Sequence, residues 1–208
     1  MEAFGIALVV ALAFVEVPPP ATGEQIAQML AELKTATQKQ RLPKTSDVDA
    51  VRRLLVKMVE VDQAVRNGRH SSVEIDELCT AALKQWLGEI EWFSVSKWGA
   101  EFDNKAWLLV QHADHDVPFQ RMVLSRLERL VNIDETDRSS YAYLFDRVAV
   151  NTGKKQRYGT QGRCVGPSDW QPHHTEDAAR VDERRAWARI KGFTNLADYK
   201  VVMDTHCK

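Results

Sequence analysis

The chain has 208 residues, 28 basic and 29 acidic side chains, and a formal net charge of −1. That length suits one domain and leaves no room for a second large one. With 44% hydrophobic and 27% charged residues, whole-chain disorder is excluded, and a pI of about 6.6 argues against a protein that coats nucleic acid. The expected partner, from the polar residues taken up below, is a small polar ligand.

Residues Phe4 to Val15 form an uncharged apolar run followed by Pro18-Pro19-Pro20. The run is too short for a stable membrane span, which needs about 20 residues, but it fits the apolar region of a secretory signal. Against that stand Glu2 in place of a basic residue and the lack of a small-x-small cleavage site; a buried N-terminal element is the alternative. We expect a signal peptide over 1–21, a mature start near Thr22, and a secreted or periplasmic protein, or else a cytoplasmic one. Cys79, Cys164 and Cys207 are widely spaced and form no zinc pattern. Cys79 reads as core, whereas Cys164 and Cys207 are able to pair in an oxidising compartment.

Ile26, Met29, Leu30 and Leu33 predict a helix from Gly23 to Gln40, broken at Arg41-Leu42-Pro43-Lys44. Residues 22–45 thus read as an N-terminal helix and linker, and 46–208 as the helical domain. Ser46-Asp47 caps a second helix to Asn67-Gly68, with Val51, Leu54, Leu55, Met58 and Val61 on one face. Asp62-Gln63 and Arg66 interrupt its apolar pattern. A third helix runs from Ser72 to about Trp92, and segment 93–102 is an aromatic-rich connection. Asp103 is placed to cap a helix to about His115, Pro118 to open the next to about residue 132, and Asp137 or Ser139 to start one ending at Gly153.

Helical periodicity then lapses over 154–174, where Gly159, Gly162 and Gly166 fall. Gln156 to Gln161 alternates like a strand that Gly162 turns into a hairpin. We expect this segment to lie over the end of the 103–116 helix. Thr175 caps an Arg-rich helix to about Lys191, and Asn195 to Met203 is the last. The fold class is all-α: a single-domain helical bundle with a small irregular or β-hairpin insertion near 154–174.

Polar groups gather at Gln111-His112-Ala113-Asp114-His115-Asp116, the end of an otherwise apolar helix. Gln111, Asp114 and His115 share one face of a continuing helix, and His112 and Asp116 the adjacent one. Such a buried polar end is either satisfied by neighbouring helices, holding the bundle in register, or functional. Asp146-Arg147 sits inside an apolar helix, and Gln156, Tyr158, Thr160 and Gln161 follow in the loop.

Trp107 to Asp114, Asp146-Arg147-Val148 and Gln156-Arg157-Tyr158-Gly159-Thr160-Gln161 resemble an uncharacterised bacterial family of unknown function, with a QHAD helix and a QxYGTQ loop. Asp62-Gln63 with Arg66, and Val181-Asp182 with Arg184-Arg185, match it too. The resemblance covers roughly residues 50–200 and implies an exported or lipid-anchored protein. It implies no activity. His115, His173 and His174 stand outside the pattern.

Two functions compete. One is an exported acid–base enzyme, a hydrolase or lyase of a small polar substrate. His112 would be the base, Asp114 or Asp146 would orient it, and Tyr158 would donate a proton. Arg147, Gln111, Gln156, Thr160, Gln161, Asp62 and Arg66 would bind substrate. The other is a non-catalytic binding or interaction module of the bacterial envelope, which the same amide-rich pocket serves. A metal held by His112, Asp116, His173, His174 and Asp177 is a weaker third, since no HExxH occurs. We expect no metal and no cofactor. No GxSxG motif supports a covalent triad.

Overall fold

The computed structural model describes residues 21–38, 41–68, 70–190 and 193–208. The signal peptide expected over 1–21 lies, but for Ala21, outside the described residues, and so do Lys39 and Gln40 at the expected end of the first helix. The elements run α1 (Gly23–Ala36), α2 (Val48–Asn67), α3 (Val73–Trp86), α4 (Val95–Trp98), α5 (Ala100–Gln111), α6 (Val117–Leu130) and α7 (Arg138–Asn151). Strands β1 (Gly162–Gly166) and β2 (Asp169–Pro172) follow, then α8 (Val181–Trp187) and α9 (Leu196–Asp204). The all-α bundle with one small hairpin is what the apolar spacing predicts. Among the described residues no helix is long and apolar enough to cross a membrane.

One core joins α1 through α7. It is built from the stripe Val51, Leu54, Leu55, Met58, Val61 and Val65 of α2, together with Leu83, Trp86, Phe93, Trp98, Leu109, Val123, Leu127 and Leu144. Burying each such side chain contributes roughly 1.5–3 kcal/mol. A second, smaller cluster, Trp170, Tyr199 and Cys207, ties the hairpin to α9. A disulfide between Cys164 on β1 and Cys207 past α9 closes it.

Several boundaries differ from the sequence expectation. The third helix stops at Trp86, short of Trp92. Arg126 of α6 reaches across and donates to the carbonyls of Leu87, Ile90 and Glu91 at 2.9, 3.0 and 2.8 Å, so that stretch needs no helical bonds. Asp103 is buried inside α5 instead of capping it. Its carboxylate accepts from Trp92 Nε1 at 2.6 Å, Thr136 Oγ1 at 2.7 Å and the Asp137 amide at 3.0 Å, stapling the 92–103 connection to the start of α7.

α5 also ends early, at Gln111. Asp116 is the N-cap of α6, accepting the Phe119 amide at 3.0 Å, so 112–116 is a tight turn and not a helical face. The hairpin starts at Gly162, where a turn was expected. Gly162 lies under the Trp170 ring, and a Cβ there would fall 2.3 Å from it. The Arg-rich helix is shorter than 176–191: one 3-10 turn at Ala178–Arg180 leads into α8.

Candidate active site

The polar interruption of α2 and the end of α5 meet. Asp62 is buried on α2, and its Oδ1 lies 3.0 Å from Nδ1 of His112, the residue that terminates α5. Gln63 Nε2 donates to the other carboxylate oxygen at 2.7 Å. Arg66, one turn further along α2, points its Nε at Asp62 Oδ1 (3.0 Å) and at His112 Nδ1 (3.1 Å). That nitrogen carries one hydrogen, and the ionised carboxylate is the stronger acceptor. The network therefore assigns the Nδ1–H tautomer, with both His112 and Arg66 donating to Asp62. Nε2 is left with no hydrogen bond among the described residues. Burial pushes the Asp62 carboxyl up, but the hydrogen bond and charge of His112, the Gln63 amide and Arg66 outweigh it and hold it below the usual value.

Arg66 also pairs through Nη2 with Asp76 on α3. Burial raises the Asp76 carboxyl above its ordinary value, opposed by the Arg66 charge. The imidazole is 16% exposed and faces a cavity of about 400 Å³ lined by Arg66, Ser72, Val73, Asp76, His112, Asp114, His115 and Arg147. Across it, Arg147 Nη1 of α7 donates to Asp114 at 2.6 Å. Asp114 accepts further from Asn151 Nδ2 at 2.9 Å and Gln120 Nε2 at 3.1 Å. Asp114 thus aims Arg147, and Asp62 takes the His112-orienting place that sequence reasoning gave to Asp114 or Asp146.

Asp146 lies elsewhere. Adjacent to Arg147 on α7 but facing inward, it is fully buried beneath the 156–161 loop. Its carboxylate accepts the amides of Arg157 (2.7 Å), Tyr158 (3.0 Å) and Thr160 (2.9 Å), and the Thr160 hydroxyl (2.9 Å). These bonds take the place of a partner strand, which is why 156–161 does not form one. Burial raises this carboxyl, and the amide bonds oppose it. Gly159 turns the loop at φ 68°, where a Cβ would fall 2.9 Å from Leu196. Gln156, also buried, clips the loop shut by donating to the carbonyls of Gln161 and His173. Residues 37–206 match DUF6624, a family of unknown function.

The chain belongs to that family. No curated protein and no solved structure matches it.

In this DUF6624 chain the sequence-assigned site residues divide into two groups. His112, Asp114, Arg147, Asp62 and Arg66 surround one cavity or its floor. Asp146, Tyr158, Gln156, Thr160 and Gln161 build the loop, and none of 154–174 lines the His112 cavity. The segment's hydrogen bonds run to Asp146 and to Arg184 and Arg185 of α8, so it is not the cover expected over α5. Gln111 does not line the cavity either; its buried Oε1 has no partner among the described residues. Asp76, Ser72, Gln120 and Asn151 escaped the sequence reading. Only Asp76 carried a signal, as an acid in the first turn of α3 just across a short turn from Arg66.

Asp62, Asp76 and His112 bring one ligand atom each to within 4.8 Å of one another. Arg66 already bridges the two carboxylates, so a cation there must displace a guanidinium from both. The donor set fits an ion-pair network better than a metal centre. It shares only His112 with the set expected from the sequence, His112, Asp116, His173, His174 and Asp177, and Asp116 is engaged as a helix cap.

Proposed function

We propose that this protein is an exported acid–base enzyme, a hydrolase or lyase of a small polar substrate, in which His112 is the base and Asp62 orients it. One observation carries the reading. A buried carboxylate holds Nδ1 of a part-exposed imidazole that lines a cavity walled by two arginines, and its opposite nitrogen has no hydrogen bond among the described residues. This is the arrangement in which Nε2 takes a proton from water, or from carbon next to an acidifying group, while the carboxylate stabilises the imidazolium that forms. Arg147 and Arg66 are placed to meet negative charge developing on the substrate. The Cys164–Cys207 disulfide supports export, since such bonds persist in oxidising compartments, and the apolar leader agrees with it.

The test joins a tautomer measurement to a substrate screen. Nitrogen-15 spectra of the neutral imidazole should report a proton on Nδ1 and none on Nε2. Screening esters, amides, phosphoesters and β-elimination substrates should find one whose turnover falls about 10²–10⁴-fold in His112→Gln. An Nε2–H tautomer, or turnover that survives the substitution, overturns the proposal.

A further inference from the structure

A second cavity lies away from His112 and shares no lining residue with the first. It measures about 270 Å³ and is bounded by Tyr141, Arg157, Tyr158, Arg184 and Trp187, with Glu128 and Asn132 at its edge. Its walls are aromatic. Tyr158 and Trp187 stand nearly parallel, with centroids 6.3 Å apart and an interplanar angle of 21°, and Tyr141 meets both edge-on. The two tyrosines are buried, yet Trp187 is 40% exposed, an unusual position for an indole.

The polar groups there are fixed and underused. Arg184 donates Nε to the Arg157 carbonyl at 2.7 Å and Nη2 to the Asp177 carbonyl at 2.6 Å. Two carbonyls lock the guanidinium in place without neutralising it, and no carboxylate pairs with it among the described residues. Arg157 places its guanidinium carbon over the Phe145 ring, 4.1 Å from the centroid, and turns its Nε to Glu176 at 3.1 Å.

The Tyr141 hydroxyl, on a residue 4% exposed, has no hydrogen-bond partner among the described residues. The polar neighbour of the Tyr158 hydroxyl is the Arg157 guanidinium, which only donates, so the phenol proton is free. Burial raises both phenols above their ordinary value and keeps them protonated donors. Two phenols and two guanidiniums therefore line one cavity, and Glu128 is the one carboxylate among its lining residues.

We propose that this cavity binds a small planar anion, a ring bearing a carboxylate or a phosphate monoester. The acid group sits against Arg157, Arg184 and the two phenol hydroxyls, and the ring lies on Trp187. Glu128 accepts from a hydroxyl on the far side of the ring. The volume suits a ligand of that size. The site is independent of the His112 chemistry, and it is tested without it.

Isothermal titration of the full chain with 4-hydroxybenzoate, phenyl phosphate and inorganic phosphate distinguishes the sources. At least one ring-bearing probe should bind at millimolar concentration or below, more tightly than inorganic phosphate, and equally in His112→Gln. Which ring-bearing probe binds more tightly decides between carboxylate and phosphate. Tyr141→Phe removes a hydroxyl with no partner among the described residues, and Tyr158→Phe one that meets only the Arg157 guanidinium, which Glu176 and the Phe145 ring hold as well. Each should leave the melting temperature in place and weaken binding about tenfold. Arg184→Met should abolish binding, and the two phenylalanine variants keep the test valid if that variant fails to fold. No binding of either ring-bearing probe, inorganic phosphate binding as tightly as both, or affinity unchanged in the double phenylalanine variant, overturns the proposal.

Discussion

Asp62 and His112 lie 50 residues apart in the chain and meet at 3.0 Å, carboxylate to imidazole, where the C-terminal part of α2 meets the end of α5. The two members of the pair are unequal. Asp62 is buried and also serves Gln63 and Arg66, whereas His112 is part-exposed and holds little else in place.

That inequality sets the first expectation. His112→Gln removes one hydrogen bond from a carboxylate that keeps two other donors, so it should cost about 1 kcal/mol. Asp62→Asn leaves the Arg66 charge short of a buried partner and should cost about 3 kcal/mol. Urea denaturation of the two variants checks the order. Equal losses would show that the histidine carries the packing.

The pH dependence follows from the same carboxylate. The folded pKa of Asp62 lies below its ordinary 3.8. Its contribution to stability is therefore complete above that value and is lost as pH falls through the folded one. Asp146 is shifted the other way. Its unfolded carboxyl ionises first, so stability declines as pH rises from 3.8 through the raised folded value. Denaturation midpoints between about pH 2 and 7 should show Asp62→Asn losing less than the wild type on the acid side. Parallel profiles would contradict the shift.

Asp146 is the tether of the 156–161 loop. Asp146→Ala strips acceptors from three amides and a hydroxyl and should cost about 3–5 kcal/mol. Hydrogen exchange should rise first at Arg157, Tyr158 and Thr160, while the Val51–Val65 stripe of α2 stays protected. Unchanged exchange at those three amides would rule out the tether.

Helix order and the core stripe were legible because amphipathic spacing repeats over many residues, as from Val51 to Val65. What escaped was every feature decided by one side chain at long range. Asp103 looks like a cap and Asp146 like an orienter, because a carboxylate near a helix start or in a polar cluster has the same local pattern whether it meets a distant amide or an imidazole. The strand expected at Gln156–Gln161 alternates correctly, but the amides of Arg157, Tyr158 and Thr160 are taken by Asp146. Sequence also treated 112–116 as helix, since nothing local says that Asp116 begins the next one.

The small cluster at the hairpin should be the least stable part. Opening the Cys164–Cys207 bridge, 43 residues apart, releases a loop whose closure is worth about 4 kcal/mol in the chain-entropy view. The Cys164→Ser, Cys207→Ser variant should lose exchange protection in α9 and the hairpin before any loss in α2 or α5. Simultaneous loss throughout would mean that the two clusters unfold as one.

The bridge also makes residues 164–207 a covalent ring that carries Arg184, Trp187 and the whole of α8 and α9. A protease that cuts once in the exposed turn at Ala178–Arg180 therefore produces two pieces that stay joined. On a gel the clipped protein keeps its full mass until a reductant is added, and only then does the tail separate.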